Sequence, residues 1–212
     1  MSKLSRIAFY RRRREEVPNQ ILARDLATRR DAAGIREIAL GLRHEEQGVQ
    51  SDCLKVLYEI GYMRPELVAK YTPEFLRLLG SRNNRMVWGA MIALGTVAGV
   101  RSKLIYDRRK EIIAAMKHGS VITADNAVDA LAKVAASSPA RRREVLPTLL
   151  RHLSTCRPKD LAPHAEKVTL AVDRGSQARF VRLLSRRMPE LTPAQQSRVR
   201  KLIRQAEKGG PA

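Results

Sequence analysis

Aromatic residues and cysteines are scarce in this chain of 212 residues: Phe, Trp and Tyr together make up 4%, and there are two cysteines. Two cysteines give no disulfide framework, so we expect a reducing compartment and interpret the protein as cytoplasmic. No apolar run approaches the roughly 18 residues needed to cross a membrane, so no membrane partner is expected. The apolar residues are mainly Leu, Ile, Val and Ala, which favours close-packed helices over a sheet.

Motifs of catalysis and cofactor binding are also absent. The sequence contains no glycine-rich phosphate loop, no nucleophile elbow and no pair of carboxylates at a catalytic spacing. The histidines His118, His152 and His164 show no metal-ligand spacing, and Cys53 and Cys156 add none. We therefore expect no metal, no small-molecule cofactor and no enzymatic activity.

A repeat of 37 residues is the clearest feature that is present. Sliding the sequence by this step places apolar residues on apolar residues. The aligned series are Leu42, Leu79, Met116 and Leu153; Cys53, Ala90 and Ala127; and Ile60, Val97 and Val134. Within a repeat the apolar residues recur three and four apart in two stripes, which predicts two helices joined by a short turn. The sequence therefore predicts an array of helical hairpins.

The predicted array has defined boundaries. Residues 1–18 are expected to form a basic N-terminal arm, and residues 19–208 a single repeat domain. The repeat is regular over about residues 31–155, whereas residues 159–208 are expected to form atypical helices. Terminal repeats have only one neighbour, so the atypical helices are interpreted as a cap. Residues 209–212 are expected to fray.

Residues 78–95 carry a recognisable pattern. They contain paired leucines, a polar turn with Asn83, and small residues that end in Ala-Leu-Gly. This pattern resembles the HEAT repeat, and the resemblance covers roughly residues 31–155. It implies an all-α fold, an α-solenoid of about five HEAT-like helical hairpins that forms a right-handed superhelix. We expect the chain to be a monomer.

Positive charge is distributed unevenly along the chain. Of the net charge of +20, residues 1–30 contribute +6, residues 31–100 zero and residues 101–212 +14. Such an excess favours nucleic acid as the partner, and the scarcity of aromatics favours contacts to the phosphate backbone over base stacking. The candidate nucleic-acid-binding residues are Arg11, Arg12, Arg13, Arg14, Arg108, Arg109, Lys110, Arg141, Arg142, Arg143, Arg151, Arg186 and Arg187.

Three functions are compatible with these features. The first is a non-enzymatic HEAT-like module that binds DNA or RNA, and the alternative is a protein–protein interaction scaffold that uses the neutral middle repeats. The chain is also similar to the HEAT-like alkylpurine DNA glycosylases, which use tryptophans, an aspartate and an arginine in a concave groove. That resemblance implies a groove with Trp88 and Asp125, which lie 37 residues apart, although the second tryptophan of that family is missing. Trp88 is otherwise interpreted as a packing residue.

Overall fold

In a computed structural model, which describes residues 2–13 and 15–208, α-helices joined by short turns make up the chain, and these residues contain no β-strand. The chain divides into two compact units, Met1–Ala127 (unit 1) and Val128–Ala212 (unit 2). The first helices along the chain are α1 (Val17–Arg29), α2 (Ala32–Leu40), α3 (Gln47–Met63), α4 (Pro65–Val68), α5 (Thr72–Leu78), α6 (Asn84–Val97), α7 (Ser102–Asp107) and α8 (Arg109–His118). They are followed by α9 (Val121–Ala136), α10 (Pro139–Thr155), α11 (Pro158–Thr169), α12 (Arg174–Arg187) and α13 (Pro193–Glu207).

The helix positions follow the period of the sequence. Helices α3, α6, α9 and α11 begin at Gln47, Asn84, Val121 and Pro158, at steps of 37 residues. Helix α13 begins at Pro193, two residues before the next step. The predicted array of helical hairpins is therefore confirmed. Its helix spacing also continues past residue 155, where the regular apolar pattern of the sequence ends.

The second helix of a repeat is interrupted in the early part of the chain. A 3-10 turn at Ala69–Tyr71 separates α4 from α5. Thr72 does not cap α5, because its hydroxyl donates to the carbonyl of Ala69 (2.6 Å) and Tyr71 occupies the capping position. One repeat later α7 and α8 meet at Arg108, and after another step α10 is a single helix that continues through Pro147.

Helix α3 is the centre of unit 1, where it packs against both α1 and α6. Its apolar stripe, which includes Val56, Leu57 and Ile60, is fully buried. Each such side chain stabilises the fold by about 1.5–3 kcal/mol relative to an exposed one. Cys53 lies in the same stripe, and burial raises its pKa to about 12, so this thiol is an inert packing group. A Cβ atom at Gly41 would lie 2.4 Å from the Cys53 sulfur, so the preceding turn needs glycine.

Unit 2 is held together around α12 and α13. The buried residues Phe180 and Leu184 belong to α12, which packs against α10 and α13. Thr192 caps α13, and it forms a reciprocal capping box with Gln195. Val199 is fully buried on the apolar face of α13. None of the helices in the described residues is long and apolar enough to span a membrane.

Candidate binding surfaces

The N-terminal segment, residues 2–13, belongs to the expected basic arm, and it is folded onto unit 1. Ala8 is buried, and its main-chain NH donates to the side-chain oxygen of Asn19 on α1 (2.9 Å). The next main-chain NH, that of Phe9, donates to the carboxylate of Asp52 on α3 (2.7 Å). Side chains of two helices therefore recognise the backbone of this segment.

Helix α2 binds the beginning of the same segment. The carboxylate of Glu37 accepts hydrogen bonds from the main-chain NH groups of Lys3 (2.9 Å) and Leu4 (3.4 Å). Burial raises the pKa of Glu37, but the hydrogen bonds from Ser2, Lys3 and Leu4 outweigh it, and the pKa lies below its usual value. Three helices thus supply acceptors to a stretch of chain that forms no α-helix.

The N-terminal segment covers one face of α3. Gly48, Asp52 and Lys55 are four and three residues apart, so they share a face of the helix. A Cβ atom at Gly48 would lie 2.5 Å from the ring of Phe9, so the aromatic ring rests directly on the helix backbone. The ammonium of Lys55 pairs with Glu16, at 3.0 Å, just before α1.

The equivalent face of α6 carries a half-buried tryptophan. At a step of 37 residues, Arg85 and Ile92 correspond to Gly48 and Lys55, and Trp88 lies between them. Arg85 pairs with Glu16 (3.3 Å), which therefore links this face to that of α3. We call the two faces together the first-helix surface, which comprises Gly48, Asp52, Lys55, Arg85, Trp88 and Ile92.

The second predicted groove residue lies one repeat further along the chain. Asp125 on α9 is half-buried, at the position that corresponds to Trp88. This position is compatible with the expected groove, and a half-buried Trp88 is compatible with both interpretations of its role.

The predicted basic clusters are partly engaged within the chain. Arg11, Arg12 and Arg13 are exposed on a turn of the N-terminal segment, whereas Arg14 lies outside the described residues. In the cluster at residues 108–110, Arg108 forms an ion pair with Glu111. The guanidinium carbon of Arg109 lies 4.2 Å from the ring centre of Tyr106, and Lys110 is exposed.

The cluster at residues 141–143 lies in the first turn of α10. The guanidinium of Arg141 donates to the hydroxyl of Ser137 (2.8 Å), and Arg142 pairs with Asp173 (3.0 Å). Arg143 is exposed. These contacts orient two of the three arginines toward their own unit.

An open groove of unit 2 carries a row of uncompensated arginines. Arg179, Arg182 and Arg186 follow one side of α12, at spacings of three and four residues, and they line a groove of about 520 Å³. All three are exposed, and within the described residues none of them forms an ion pair or a side-chain hydrogen bond. Arg151 on α10 is also exposed. Of these four arginines, the sequence indicates Arg151 and Arg186, as an extension of the basic clusters, and does not indicate Arg179 or Arg182.

Arg187 differs from the adjacent Arg186 because it is buried, with 7% of its surface exposed. Its guanidinium donates to the carbonyls of Leu153 and Cys156, both at 2.8 Å, and pairs with Glu190 at 2.5 Å. These bonds satisfy an arginine that the fold has enclosed, so we leave Arg187 out of any proposed binding surface.

A polar cluster lies beside Arg187. The rings of His152 and His164 approach to 3.0 Å between Nε2 and Nδ1, and the Cys156 sulfur, the third member, belongs to the same cluster of potential ligands. Burial and the neighbouring His164 lower the pKa of His152 to about 4, so this ring is neutral near pH 7. Burial also raises the pKa of the Cys156 thiol.

The spacing of these residues in the sequence did not indicate the cluster. His152 and Cys156 are four residues apart, a spacing that places both on one side of a helix. Two residues at that spacing do not indicate a metal site by themselves, and the third residue, His164, follows only after a turn and lies on α11. The angle between α10 and α11 therefore decides whether the three side chains meet.

Comparisons with known proteins support the fold. No family profile and no curated protein matches the chain. Its structure is similar to that of an engineered protein, with a TM-score of 0.69 and 16% identity over 99% of this chain and 97% of the other. A designed armadillo repeat protein in complex with the peptide (KR)4 gives a TM-score of 0.69 and 11% identity over 88% and 86% of the two chains.

A third similar structure is that of computationally designed armadillo repeat proteins for modular peptide recognition. Its TM-score is 0.67 and its identity 14%, over 97% of this chain and 90% of the other. The 37-residue step between helix starts and the similarity to designed repeat proteins both indicate a helical-repeat fold. The chain therefore has the all-α, helical-repeat solenoid fold of armadillo-like and HEAT-like proteins.

Proposed function

We propose that this protein is a non-enzymatic binding scaffold, which holds an extended segment of a partner protein on the α6 part of the first-helix surface, beside the N-terminal segment of unit 1. The observation that carries the proposal is the way in which this unit holds its own N-terminal segment. Side chains of α1, α2 and α3 accept hydrogen bonds from main-chain NH groups of that segment. These acceptors are occupied by the N-terminal segment itself, but every polypeptide offers such NH groups, so a neighbouring helix face can bind the main chain of another protein in the same way.

The face of α6 supplies an anchor for this partner. Trp88 is half-buried between the exposed Arg85 and the buried Ile92, next to the face of α3 that the N-terminal segment covers. Tryptophan and arginine are the residue types that most often dominate binding energies at interfaces. Partner side chains that pack on Trp88 would add apolar contact to main-chain recognition.

The similar structures favour this function over the others. A designed armadillo repeat protein binds the peptide (KR)4, and another design of the same fold was made for peptide recognition. Their identities to this chain are 11% and 14%, so they support a class of partner and not its sequence.

Selection from a displayed library of unstructured peptides tests the proposal. We expect the full chain to select peptides that bind with dissociation constants in the micromolar range. Trp88→Ala should weaken binding of a labelled peptide, measured by anisotropy, by about 30-fold or more, the effect of removing an interface anchor. Binding should also change the fluorescence of Trp88, because it is the only tryptophan of the chain.

Tyr10→Ala is the matched control, because Tyr10 is an exposed aromatic residue outside the first-helix surface. This variant should bind the selected peptides as the unchanged chain does. Failure to select any peptide, or equal binding by the Trp88→Ala variant, would reject the proposal.

Nucleic acid is the second candidate partner, and a separate observation favours it. Unit 2 has a net charge of +11 in 85 residues, and the three uncompensated arginines of α12 line an open groove. Guanidinium groups that form no internal ion pair remain available for phosphate oxygens. Binding through such contacts would be largely independent of base sequence and sensitive to salt.

Anisotropy of labelled single-stranded and duplex oligonucleotides at several salt concentrations tests this candidate. Replacing Arg179, Arg182 and Arg186 by Gln should lower the slope of log affinity against log salt by about 2–3, because up to three phosphate contacts disappear. The control carries the same charge change at the scattered exposed residues Arg24, Arg64 and Arg82. Equal losses in both triple variants would show that net charge alone attracts the oligonucleotide, and the groove would be excluded.

A further inference from the structure

Unit 2 contains a cluster of two imidazoles and a thiol that the binding function does not use. His152 and Cys156 lie at the C-terminal end of α10, and His164 lies on α11. Their ligand atoms all lie within 4.8 Å of one another. His164 is 3% exposed, and His152 and Cys156 are half-buried, so the cluster lies at the edge of the core.

We propose that His152, Cys156 and His164 form a zinc-binding site. Zn²⁺ binds imidazole nitrogen at about 2.0–2.1 Å and thiolate sulfur at about 2.3 Å, and it favours tetrahedral geometry. Ligand atoms around such an ion are therefore about 3.3–3.8 Å apart. The two ring nitrogens lie 3.0 Å apart and need to separate by a few tenths of an ångström, whereas the sulfur, which lies within 4.8 Å of both, needs to approach them by up to about 1 Å.

The chemistry of the three donors selects the class of metal. Two imidazoles and one thiolate suit the borderline-soft Zn²⁺, whereas Mg²⁺ and Ca²⁺ prefer oxygen ligands. Three protein ligands leave the fourth tetrahedral position for solvent, as in zinc sites that are open to a further ligand.

One neighbour of the cluster favours a charged thiolate. The guanidinium Nη1 of Arg187 lies 3.6 Å from the Cys156 sulfur and can donate to it. The charge of Arg187 is itself balanced by Glu190 at 2.5 Å, so the guanidinium orients the sulfur without leaving a second uncompensated charge beside the metal. Fixed outer contacts of this kind hold metal ligands in place.

Titration of the full chain with Co²⁺ tests the proposal, because Co²⁺ reports tetrahedral sites and thiolate ligands by absorption. We expect one Co²⁺ per chain, with a thiolate charge-transfer band and tetrahedral d–d bands that Zn²⁺ abolishes. Cys156→Ser should lose the charge-transfer band. His164→Asn should weaken Zn²⁺ binding by more than the roughly 10–100-fold that the loss of an outer contact costs.

Two variants serve as matched controls. Cys53→Ala removes the other cysteine and introduces the residue that stands at the corresponding positions 90 and 127. His118→Asn removes an exposed histidine of unit 1. Both should keep the absorption bands and the affinity of the unchanged chain.

A second measurement covers the case in which a histidine variant does not fold. Zn²⁺ should raise the melting temperature of the unchanged chain and protect Cys156 from alkylation, and Cys156→Ser should abolish the temperature shift. Absence of the Co²⁺ bands in the folded unchanged chain would overturn the proposal. So would an equal Zn²⁺ affinity of the Cys156→Ser variant, since the metal would then be bound elsewhere.

Discussion

In unit 1 the buried polar side chains Asn19, Asp52 and Lys55 contact the N-terminal segment or Glu16, whereas in unit 2 the buried Arg187 faces Cys156. The polar interior of unit 1 is thus used to hold another stretch of chain. That of unit 2 surrounds a cluster of potential metal ligands. Buried polar groups are costly unless they are bonded, so in both units they mark the places where packing alone did not decide the structure.

The two units also differ in charge. Unit 1 has a net charge of +9 in 127 residues, and unit 2 has +11 in 85 residues. The regular apolar pattern fades in the more basic unit, yet the helices there still begin close to the 37-residue steps. The spacing of helices in such an array therefore depends on a few buried positions and on caps such as Thr192, and it tolerates large changes of the surface.

The largest effects are expected from the two phenylalanines with no exposed surface, Phe75 in unit 1 and Phe180 in unit 2. Replacing either by Ala should lower the free energy of unfolding by about 3–5 kcal/mol, because a large cavity remains. Urea denaturation followed by circular dichroism measures both variants. A cost below about 1 kcal/mol for Phe180→Ala would mean that unit 2 lacks the close-packed core of unit 1.

Arg187→Met should be the next largest change. It removes the guanidinium that bonds the carbonyls of Leu153 and Cys156, and we expect a loss of about 2–3 kcal/mol. Arg186→Met is the matched control on the neighbouring exposed position, with an expected change within about 0.5 kcal/mol. Equal stabilities of the two variants would contradict the structural role of Arg187.

Helix caps should contribute equally in the two units. Thr192→Ala and Asn83→Ala each remove a side-chain acceptor at the start of a helix, and each should cost about 1 kcal/mol. Thr192→Ser keeps the acceptor and should be nearly neutral. Urea denaturation measures the loss in free energy of unfolding for each variant. A much larger loss in one unit would show that its helix depends more on its cap than on packing.

The smallest effect on the whole fold is expected from acid, because it acts on the N-terminal segment of unit 1. The pKa of Asp25 is lowered by its hydrogen bond with Arg6, and that of Glu37 lies below its usual value for the reasons given above. Carboxyls with lowered pKa values stabilise the fold above the unfolded-state values of about 4, and this contribution is lost as the pH falls through the lower folded-state values. The segment should therefore loosen in acid.

Hydrogen exchange corrected for the intrinsic pH dependence measures this release. Protection of the amides of Ala8 and Phe9 should fall below about pH 4, while that of buried α6 amides persists. Glu37→Gln should lower the protection of these amides already at neutral pH and weaken its dependence on pH, because the variant has no carboxylate to protonate at this position. Unchanged protection of Ala8 and Phe9 down to about pH 2 would contradict the role of these carboxyls.

Much of the fold was predictable from the sequence, and the contacts of its charged residues were not. Stripes such as that of Val56, Leu57 and Ile60 predicted buried helix faces, because apolar spacing depends only on the helical period. Arg186 and Arg187 look alike in the sequence, but only one is buried. Their difference depends on which side of α12 meets α10, and that is a property of packing.

The N-terminal segment illustrates the same limit. Its arginines indicated a charged arm. The charge pattern does not indicate that its main-chain NH groups donate hydrogen bonds to Asn19, Asp52 and Glu37. Main-chain contacts leave no mark in the sequence of the segment that makes them, because every residue except proline offers the same NH group.

The sequence by itself determined that the chain is an array of helical hairpins with a period of 37 residues, because the apolar spacing within and between repeats encodes both the helices and their faces. Only the tertiary structure decided that the N-terminal segment covers α3, that Arg187 is enclosed, and that His164 reaches His152 and Cys156. These outcomes depend on the angles at which helices meet, and those angles are set by packing between residues that are distant in the chain.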